Sequence, residues 1–143
     1  MKSNEWFVAF LDSAMAAFSC QTGTIHRTGP DGMLDLVAQR GVPEALMDKI
    51  AKIPFGKGIA GAAAERREPV ELCNLQADLG GVARPDARQT GVSGSLAVPV
   101  FSKIDGLVLG TLGVGMFAPH EFSDEEKSRL AGLAAELADV WEE

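Results

Sequence analysis

The chain has 143 residues, a formal net charge of −7 and 46% hydrophobic residues, which suits a single soluble domain with its own core. The negative charge disfavours nucleic acid and anionic membrane surfaces as partners, and no apolar run approaches the roughly 20 residues of a membrane-spanning helix. The two cysteines, Cys20 and Cys73, predict no disulfide framework, and no metal-ligand spacing is present, so we expect a cytoplasmic protein without a metal.

An amphipathic helix is predicted at the start of the chain. Apolar residues recur there at helical spacing, namely Phe7, Phe10, Leu11, Ala14 and Phe18. Ser3 or Asn4 is suited to cap this helix. Residues 23–27 and 33–38 then form two strand-like runs, and the Pro30-Asp31-Gly32 segment between them is typical of a hairpin turn.

The segment GKGIAG, residues 56–61, has the Gly-x-Gly-x-x-Gly spacing of a dinucleotide-binding turn. Such a turn follows a buried parallel strand and opens a helix. Residues 59–67 read as a helix, but residues 48–55 are charged and contain Pro54, which is not the pattern of a buried strand. We therefore expect these glycines to serve tight turning and close packing, after a short helix that begins at Pro43.

The second half of the chain begins with a brief strand at 69–73. Residues 74–91 have no periodicity, and a loop of this length inside one domain is typically functional or mobile. A second hairpin follows, with strands at 95–101 and 107–116. Pro99 lies within the first of these strands, which predicts an edge position or a bulge.

The last element is the most clearly predicted helix. It begins with a capping box at residues 123–126 and carries an apolar stripe at Leu130, Leu133, Leu137 and Val140. This stripe fits either packing on the first helix or a homodimer bundle. The order of elements predicts an α/β (α+β) fold in which both terminal helices cover one face of a central antiparallel sheet.

Taken together, these segments resemble a GAF domain, a small-molecule sensor module related in architecture to PAS domains. The resemblance lies in residues 24–40, 53–70, 94–100 and 109–115, and in the final FSDEEKSRLAGLAAELA. It implies one GAF domain over residues 1–143, with a lidded ligand pocket on the sheet face away from the terminal helices. The implied function is to bind a small molecule and signal to a separate protein of a bacterial cell, without catalysis.

Strand alternation separates large side chains from small ones and so predicts which face holds the pocket. The large residues, expected under the terminal helices, are Ile25, Leu96, Val98, Val100, Leu112 and Val114. The residues expected to bind the ligand are His26, Gly58, Ile59, Cys73, Asn74, Leu75, Ser95, Ala97, Thr111 and Gly113, with residues 74–91 as the lid. His26 fits a binding residue or a surface strand residue equally well. Cys73 fits a small buried residue better than a reactive thiol.

Known activities of GAF domains can be compared with these residues. Neither cysteine precedes a histidine, so no bilin is expected, and the signature of cyclic-nucleotide-binding GAF domains is not found. The free methionine-(R)-sulfoxide reductase family has one cysteine in the glycine turn and another in the loop before the second hairpin. Here Ile59 and Ala60 occupy the turn and residues 74–91 contain no cysteine, so this enzyme is the disfavoured alternative.

Two further alternatives concern the ligand. The small pocket floor suits a compact anion such as the nitrate bound by some stand-alone bacterial GAF proteins, and Arg84 and Arg88 in the long loop have the forked donors for it. A dimerisation module that binds no ligand is the other alternative. The ligand itself stays unspecified by the sequence.

Overall fold

A computed structural model of the protein describes residues 2–73 and 92–143. Its helices are α1 (Asn4–Ala17), α2 (Met47–Ile50, after a 3-10 turn at Glu44–Leu46), α3 (Gly58–Arg66) and α4 (Asp124–Trp141). Its strands are β1 (Thr22–Thr28), β2 (Leu34–Arg40), β3 (Lys52–Ile53), β4 (Val70–Leu72), β5 (Gly94–Phe101) and β6 (Val108–Met116). They form one six-stranded sheet in the order β3-β2-β1-β6-β5-β4, and every strand pair is antiparallel, as predicted.

The two terminal helices share one hydrophobic core with one face of the sheet. This main core contains Phe7, Leu11, Phe18, Ile25, Leu96, Val98, Val100, Leu112, Val114, Leu130 and Leu137, all buried. The prediction that the large strand residues face the terminal helices is therefore confirmed. Leu130 and Leu137 are 0% exposed, so the apolar stripe of α4 packs largely inside the protomer.

Side-chain caps fix where both terminal helices begin. The Ser3 hydroxyl accepts a hydrogen bond from the Trp6 backbone N–H at 3.3 Å, which satisfies a donor that the first turn of α1 leaves free. At α4, the Ser123 hydroxyl accepts from the N–H of Glu126, whose carboxylate accepts from the Ser123 N–H. Both caps agree with the sequence prediction.

The opposite face of the sheet carries smaller side chains and is covered in part by α3. Ala62 and Ala63 of α3 pack against Val70 of β4 and Ala97 of β5, with Ile59 at the edge of this cluster. Small residues on both surfaces let the helix approach the sheet closely. We call this side of the sheet the small-residue face.

One break in alternation lies in β2. Ile25 pairs with Ala38, whereas His26 pairs with Leu36, so Val37 is an extra residue in the ladder. An extra residue reverses the alternation, and as a result Ala38 joins the main core while Leu36 pairs with a residue of the small-residue face.

Pro99 occupies an edge position in β5. Strand β4 pairs with β5 only from Ser95 to Ala97, so no strand of the described residues lies beside Pro99 on that side. The missing N–H of proline therefore breaks no ladder with β4. The irregularity between β5 and β6 comes later, between Val100 and Phe101.

Candidate functional site

The glycine turn joins β3 to α3. Because β3 has two residues and pairs antiparallel with β2, the turn does not follow the parallel strand of a dinucleotide site. Gly56 and Gly58 have φ values of +90° and +70°, a region that favours glycine. A Cβ on Gly61 would lie 2.6 Å from the Pro54 carbonyl oxygen, so only glycine allows α3 to pack against its own turn.

Helix α3 begins without a side-chain cap. Lys57 stands at the N-cap position and makes no side-chain hydrogen bond to the helix. The first N–H groups of an α-helix have no partner within the helix, so those of Gly58 and Ile59 are suited to an acceptor on a ligand. Both residues are half-buried. This differs from α1 and α4, whose first turns are capped by serine.

A row of paired residues crosses the centre of the small-residue face. Thr24 pairs with Gly113, Gly113 with Ala97, and Ala97 with Val70. Ala97 and Val70 lie under α3, whereas no described atom of α3 is among the atoms nearest to Gly113. The nearest atoms to a Cβ built there are Thr24 Oγ1 at 3.2 Å, a Leu96 carbonyl oxygen at 3.7 Å and Ala97 Cβ at 3.9 Å, all from the sheet. Within the two described ranges, 2–73 and 92–143, the sheet therefore has a gap in its cover at Gly113.

His26 and Thr111 pair in the next row and are each 1% exposed. The His26 ring donates from Nε2 to the Ile50 carbonyl oxygen at 2.9 Å, which leaves Nδ1 as an acceptor; that atom is buried and has no hydrogen-bond partner in the described part of the chain. Burial lowers the pKa of His26, and so favours the neutral ring. The alternative that His26 is a surface strand residue is wrong.

The third row contains Ser95, which is half-buried between Leu72 of β4 and Gly115 of β6. Val92 covers this row: it clusters with Ile59 and Leu72, and a Cβ on Gly115 would lie 2.9 Å from its Cγ1 atom. Val92 follows a long non-periodic segment, so nothing in the sequence predicted its place beside the site.

Both cysteines are free, and they differ in exposure. Cys73 follows the end of β4 and is exposed, so the prediction of a buried residue is wrong: beyond Leu72 the chain has left the ladder, and the Cys73 carbonyl instead accepts from the His120 N–H at 2.9 Å. Cys20 packs against the main core, and burial, with a contribution from Glu126, raises the pKa of its thiol to about 11.

Several predicted features lie outside the described residues. They are Asn74, Leu75, the proposed lid at 74–91, Arg84 and Arg88. Within residues 2–73 and 92–143, no group of His, Cys, Asp and Glu is arranged to hold a metal ion. Across the same two ranges, every helix is too short or too polar to cross a membrane.

Comparison with known proteins identifies the fold. The sequence profile of the GAF domain family matches residues 5–142. The GAF domain of a phosphoenolpyruvate-protein phosphotransferase from Coxiella burnetii is 24% identical, with a TM-score of 0.78 over 95% of this chain and 80% of that one. A domain of a candidate two-component sensor histidine kinase from Sinorhizobium meliloti 1021 is 21% identical, with a TM-score of 0.77 over 97% and 90%.

An enzyme has a similar structure. The free methionine-R-sulfoxide reductase from Neisseria meningitidis, solved with its substrate, is 21% identical, with a TM-score of 0.75 over 99% of this chain and 80% of that one. At these identities the structures show a shared fold. No curated protein matches the chain. Because the family profile covers nearly its whole length, the chain belongs to the GAF domain family, whose fold is a ligand-binding sensor fold.

Proposed function

We propose that this GAF domain binds a small molecule over Gly113, beside the uncapped start of α3, and signals its occupancy to a separate protein. The observation that carries this proposal is that, among the described residues, the nearest atoms to a Cβ on Gly113 all belong to the sheet, on the face opposite the main core. Ligand pockets combine apolar walls with a few placed polar groups. Ile59 supplies such a wall, and Thr24 and Ser95 supply hydroxyl groups.

The expected ligand carries a carbonyl, carboxylate or similar acceptor group. Its acceptor would meet the N–H groups of Gly58 and Ile59, where the helix dipole also favours negative charge. Gly113 is the one glycine in its row, whose other members are Thr24, Ala97 and Val70, which favours a compact molecule.

A chain of contacts connects α3 to the end of α4 and supports a signalling role. Arg67, at the C-cap of α3, donates to the Gly106 carbonyl oxygen at 2.7 Å in the β5–β6 turn. The same turn is tied to α4, because the Glu142 carboxylate accepts from the Ser102 hydroxyl at 2.6 Å and the Lys103 N–H at 2.8 Å. A ligand that binds one position of α3 better than another would shift this chain of contacts.

Similar domains occur in signalling enzymes, which supports a separate protein as the recipient of the signal. The Coxiella burnetii domain comes from a phosphotransferase, and the Sinorhizobium meliloti domain from a candidate sensor histidine kinase. No bilin or metal enters this proposal. The expected partner is therefore a signalling protein that contacts the α4 end of the domain.

Methionine sulfoxide reduction is the alternative function, supported by the similarity to the Neisseria meningitidis enzyme. That chemistry needs a nucleophilic thiolate and a resolving thiol near it. Cys20 packs on the main core, on the other side of the sheet from Gly113, and a thiol with a pKa of about 11 is protonated at neutral pH. This leaves Cys73 alone, so we propose that the protein is not an enzyme.

A thermal-shift panel tests the proposal. It contains nitrate, nitrite, formate, small carboxylates, cyclic nucleotides and free methionine-(R)-sulfoxide. A ligand at 100 times its dissociation constant adds about 2.7 kcal/mol, which corresponds to roughly 5 to 10 °C. Gly113→Val, which fills the gap, is expected to abolish the shift, whereas Gly132→Val, the same change in open surroundings on α4, is expected to keep it. A shift that survives Gly113→Val would contradict the proposed site.

The enzyme alternative needs its own readout. Loss of methionine sulfoxide in the presence of a thiol reductant is measured for the wild type and for Cys73→Ser. We expect no turnover by either protein. Turnover that disappears in Cys73→Ser would establish the enzyme instead. If no ligand is found and none has co-purified, the dimerisation module becomes the better description.

A further inference from the structure

The buried ring of His26 has one nitrogen that the described fold uses and one that it does not. Nε2 contacts the Ile50 carbonyl oxygen at 2.9 Å, which ties β1 to the end of α2. Among residues 2–73 and 92–143, Nδ1 is the one buried side-chain nitrogen or oxygen without a hydrogen-bond partner. The bond to Ile50 explains why the ring is held in place, and it leaves the second nitrogen unexplained.

The chemistry of the ring defines what the missing partner must be. A carbonyl oxygen can only accept, so Nε2 carries the proton of the neutral ring and Nδ1 presents a lone pair. Burial lowers the pKa of His26, which favours this neutral form. A buried polar atom without a partner has lost its hydrogen bonds to water and gained none in return, which is why such atoms are rare. The partner of Nδ1 must therefore be a hydrogen-bond donor.

The position of His26 in the sheet places it beside the candidate ligand site. His26 pairs with Thr111, and this row is next to the row of Gly113 on the same face. Residues on one face of a strand are two positions apart, so the two rows are about 7 Å from each other along the strands. His26 and Thr111 are each 1% exposed, so their row is closed to bulk solvent. A small molecule over Gly113 is therefore within reach of the His26 side of the site.

The start of α3 lies toward the other end of this face. Ile59 clusters with Leu72, and Leu72 pairs with Ser95 in the row beyond Gly113. The row of Gly113 thus lies between the His26 row and the row near the start of α3. A molecule over Gly113 would direct its acceptor toward the first N–H groups of α3 and its opposite end toward His26.

We propose that Nδ1 of His26 accepts a hydrogen bond from the bound molecule, so that the ligand carries an N–H or O–H donor at the end away from its acceptor. This inference rests on the proposed function and adds a requirement to it. A carboxylate with a terminal hydroxyl or amino group has both parts. Nitrate, nitrite and formate have acceptors only and would leave Nδ1 unpaired. Because a site with a buried polar group rejects molecules that cannot pair with it, His26 is a specificity-determining residue.

Matched pairs of carboxylates test this inference on the wild type. Glycolate, 3-hydroxypropionate and 4-hydroxybutyrate are compared by isothermal titration calorimetry with propionate, butyrate and pentanoate, which have a methyl group in place of the hydroxyl. We expect at least one hydroxy acid to bind about tenfold more tightly than its methyl partner, because the partner leaves Nδ1 unpaired. Equal affinities within every pair, or no binding by any hydroxy acid, would overturn the inference.

His26→Gln removes the acceptor and keeps the structural bond. The amide nitrogen of glutamine can take the place of Nε2 and donate to the Ile50 carbonyl, but the side chain has no acceptor at the position of Nδ1. The preference for the hydroxy acid should disappear in this variant, while the methyl partner binds as before. His120→Gln, the same change at the other histidine, is the control and should keep the preference. A preference that survives His26→Gln would rule out the proposed role.

Nitrogen-15 NMR of the His26 ring gives a readout that needs no substitution. The signal of an unprotonated ring nitrogen moves upfield when that nitrogen accepts a hydrogen bond. We expect this movement for Nδ1 when the preferred hydroxy acid is added, and none with its methyl partner. If Nδ1 already has the signal of a hydrogen-bonded acceptor before any compound is added, a buried water or a group of the protein is its partner and the inference is wrong.

Gly113→Val separates the role of His26 from the proposed function. If this variant abolishes binding while each hydroxy acid and its methyl partner bind the wild type equally, the site over Gly113 stands and the role of His26 is contradicted. If the hydroxy acid is preferred through His26 and still binds to Gly113→Val, the role of His26 is supported and the position over Gly113 is contradicted.

Discussion

The two faces of the sheet are built differently. The face toward α1 and α4 carries Leu, Ile and Val side chains that are fully enclosed, and both covering helices begin with a serine cap. The small-residue face carries Gly, Ala, Ser and Thr, and its covering helix α3 has no side-chain cap. The first face is filled by side-chain packing, whereas the second, in the described part of the chain, carries polar groups and a gap at Gly113.

This contrast separates stability from function. Large buried side chains contribute most of the favourable free energy of folding, whereas glycine and alanine contribute little when buried. A sheet that is stabilised from one side can leave the other side to a ligand. Substitutions on the two faces should therefore have different consequences for the free energy of unfolding.

Neighbouring residues of β6 give the most direct comparison of the faces. Leu112→Ala should lower the free energy of unfolding by about 2–5 kcal/mol, because it removes a fully buried side chain from the main core. Thr111→Ser, a smaller deletion on the other face, should cost about 1 kcal/mol. Urea unfolding measures both. If Thr111→Ser were as destabilising as Leu112→Ala, the two faces would not differ as described.

The glycine turn allows a test within a single motif. Gly61→Ala should cost up to about 3 kcal/mol, because its Cβ would lie 2.6 Å from a backbone oxygen. The Cβ of Gly58→Ala would meet no described atom within 4 Å, so this variant should cost only the roughly 1 kcal/mol of a left-handed conformation. Thermal unfolding of both variants provides the measurement. Equal costs would show that the turn relaxes around Gly61.

His26 predicts a pH dependence of stability. Burial lowers the pKa of His26 in the folded protein, so His26 takes up a proton at a higher pH in the unfolded chain than in the folded protein. The contribution of neutral His26 to the free energy of unfolding is therefore fully present above its unfolded-state pKa near 6.5. It is lost as pH falls from there toward the folded-state pKa. His26→Gln should make the unfolding free energy less dependent on pH in this window, at a cost of about 1–2 kcal/mol at pH 7.5.

The control for this experiment is His120→Gln, which changes the other histidine of the chain. His120 is half-buried and contacts the Glu126 carboxylate at 3.1 Å rather than a backbone carbonyl inside the fold. If the pH dependence disappeared in His120→Gln and persisted in His26→Gln, the effect would belong to His120, and the prediction for His26 would be contradicted.

The contact between α4 and the β5–β6 turn predicts the smallest effect on stability. Glu142→Ala removes the acceptor of the Ser102 hydroxyl and the Lys103 N–H, at a cost of about 1 kcal/mol. In this variant, the ligand-induced change in hydrogen exchange at the end of α4 should disappear, while the affinity for the ligand is retained. Glu143→Ala, one residue further on, is the control. If the changes at α4 persist without Glu142, the signal takes another route.

The sequence predicted the elements whose signals are local. Helices α1 and α4 have clear periodicity and caps, and the large strand residues alternate as expected from their size. Strand β3 was not predicted, since two residues, one of them Lys52, show no alternation. The extra residue at Val37 becomes visible only in the pairing of β2 with β1, and nothing in the local sequence predicts it.

The candidate site was predicted less completely than the fold. Burial of His26 depends on the Ile50 carbonyl, which is distant in sequence, and exposure of Cys73 depends on where β4 ends. Val92 reaches the site only through tertiary packing. Patterns of side-chain size predicted which face of the sheet carries the large residues, whereas the contacts at the candidate site depend on packing between elements.

Hydrogen exchange, measured with and without the panel compound that gives the largest thermal shift, tests whether a ligand binds over Gly113 beside α3. We expect the ligand to protect amides of α3, from Gly58 onward, and of β6 around Gly113, with a weaker change at the end of α4. Protection confined to α1 and the outer side of α4, with α3 and β6 unchanged, would contradict it.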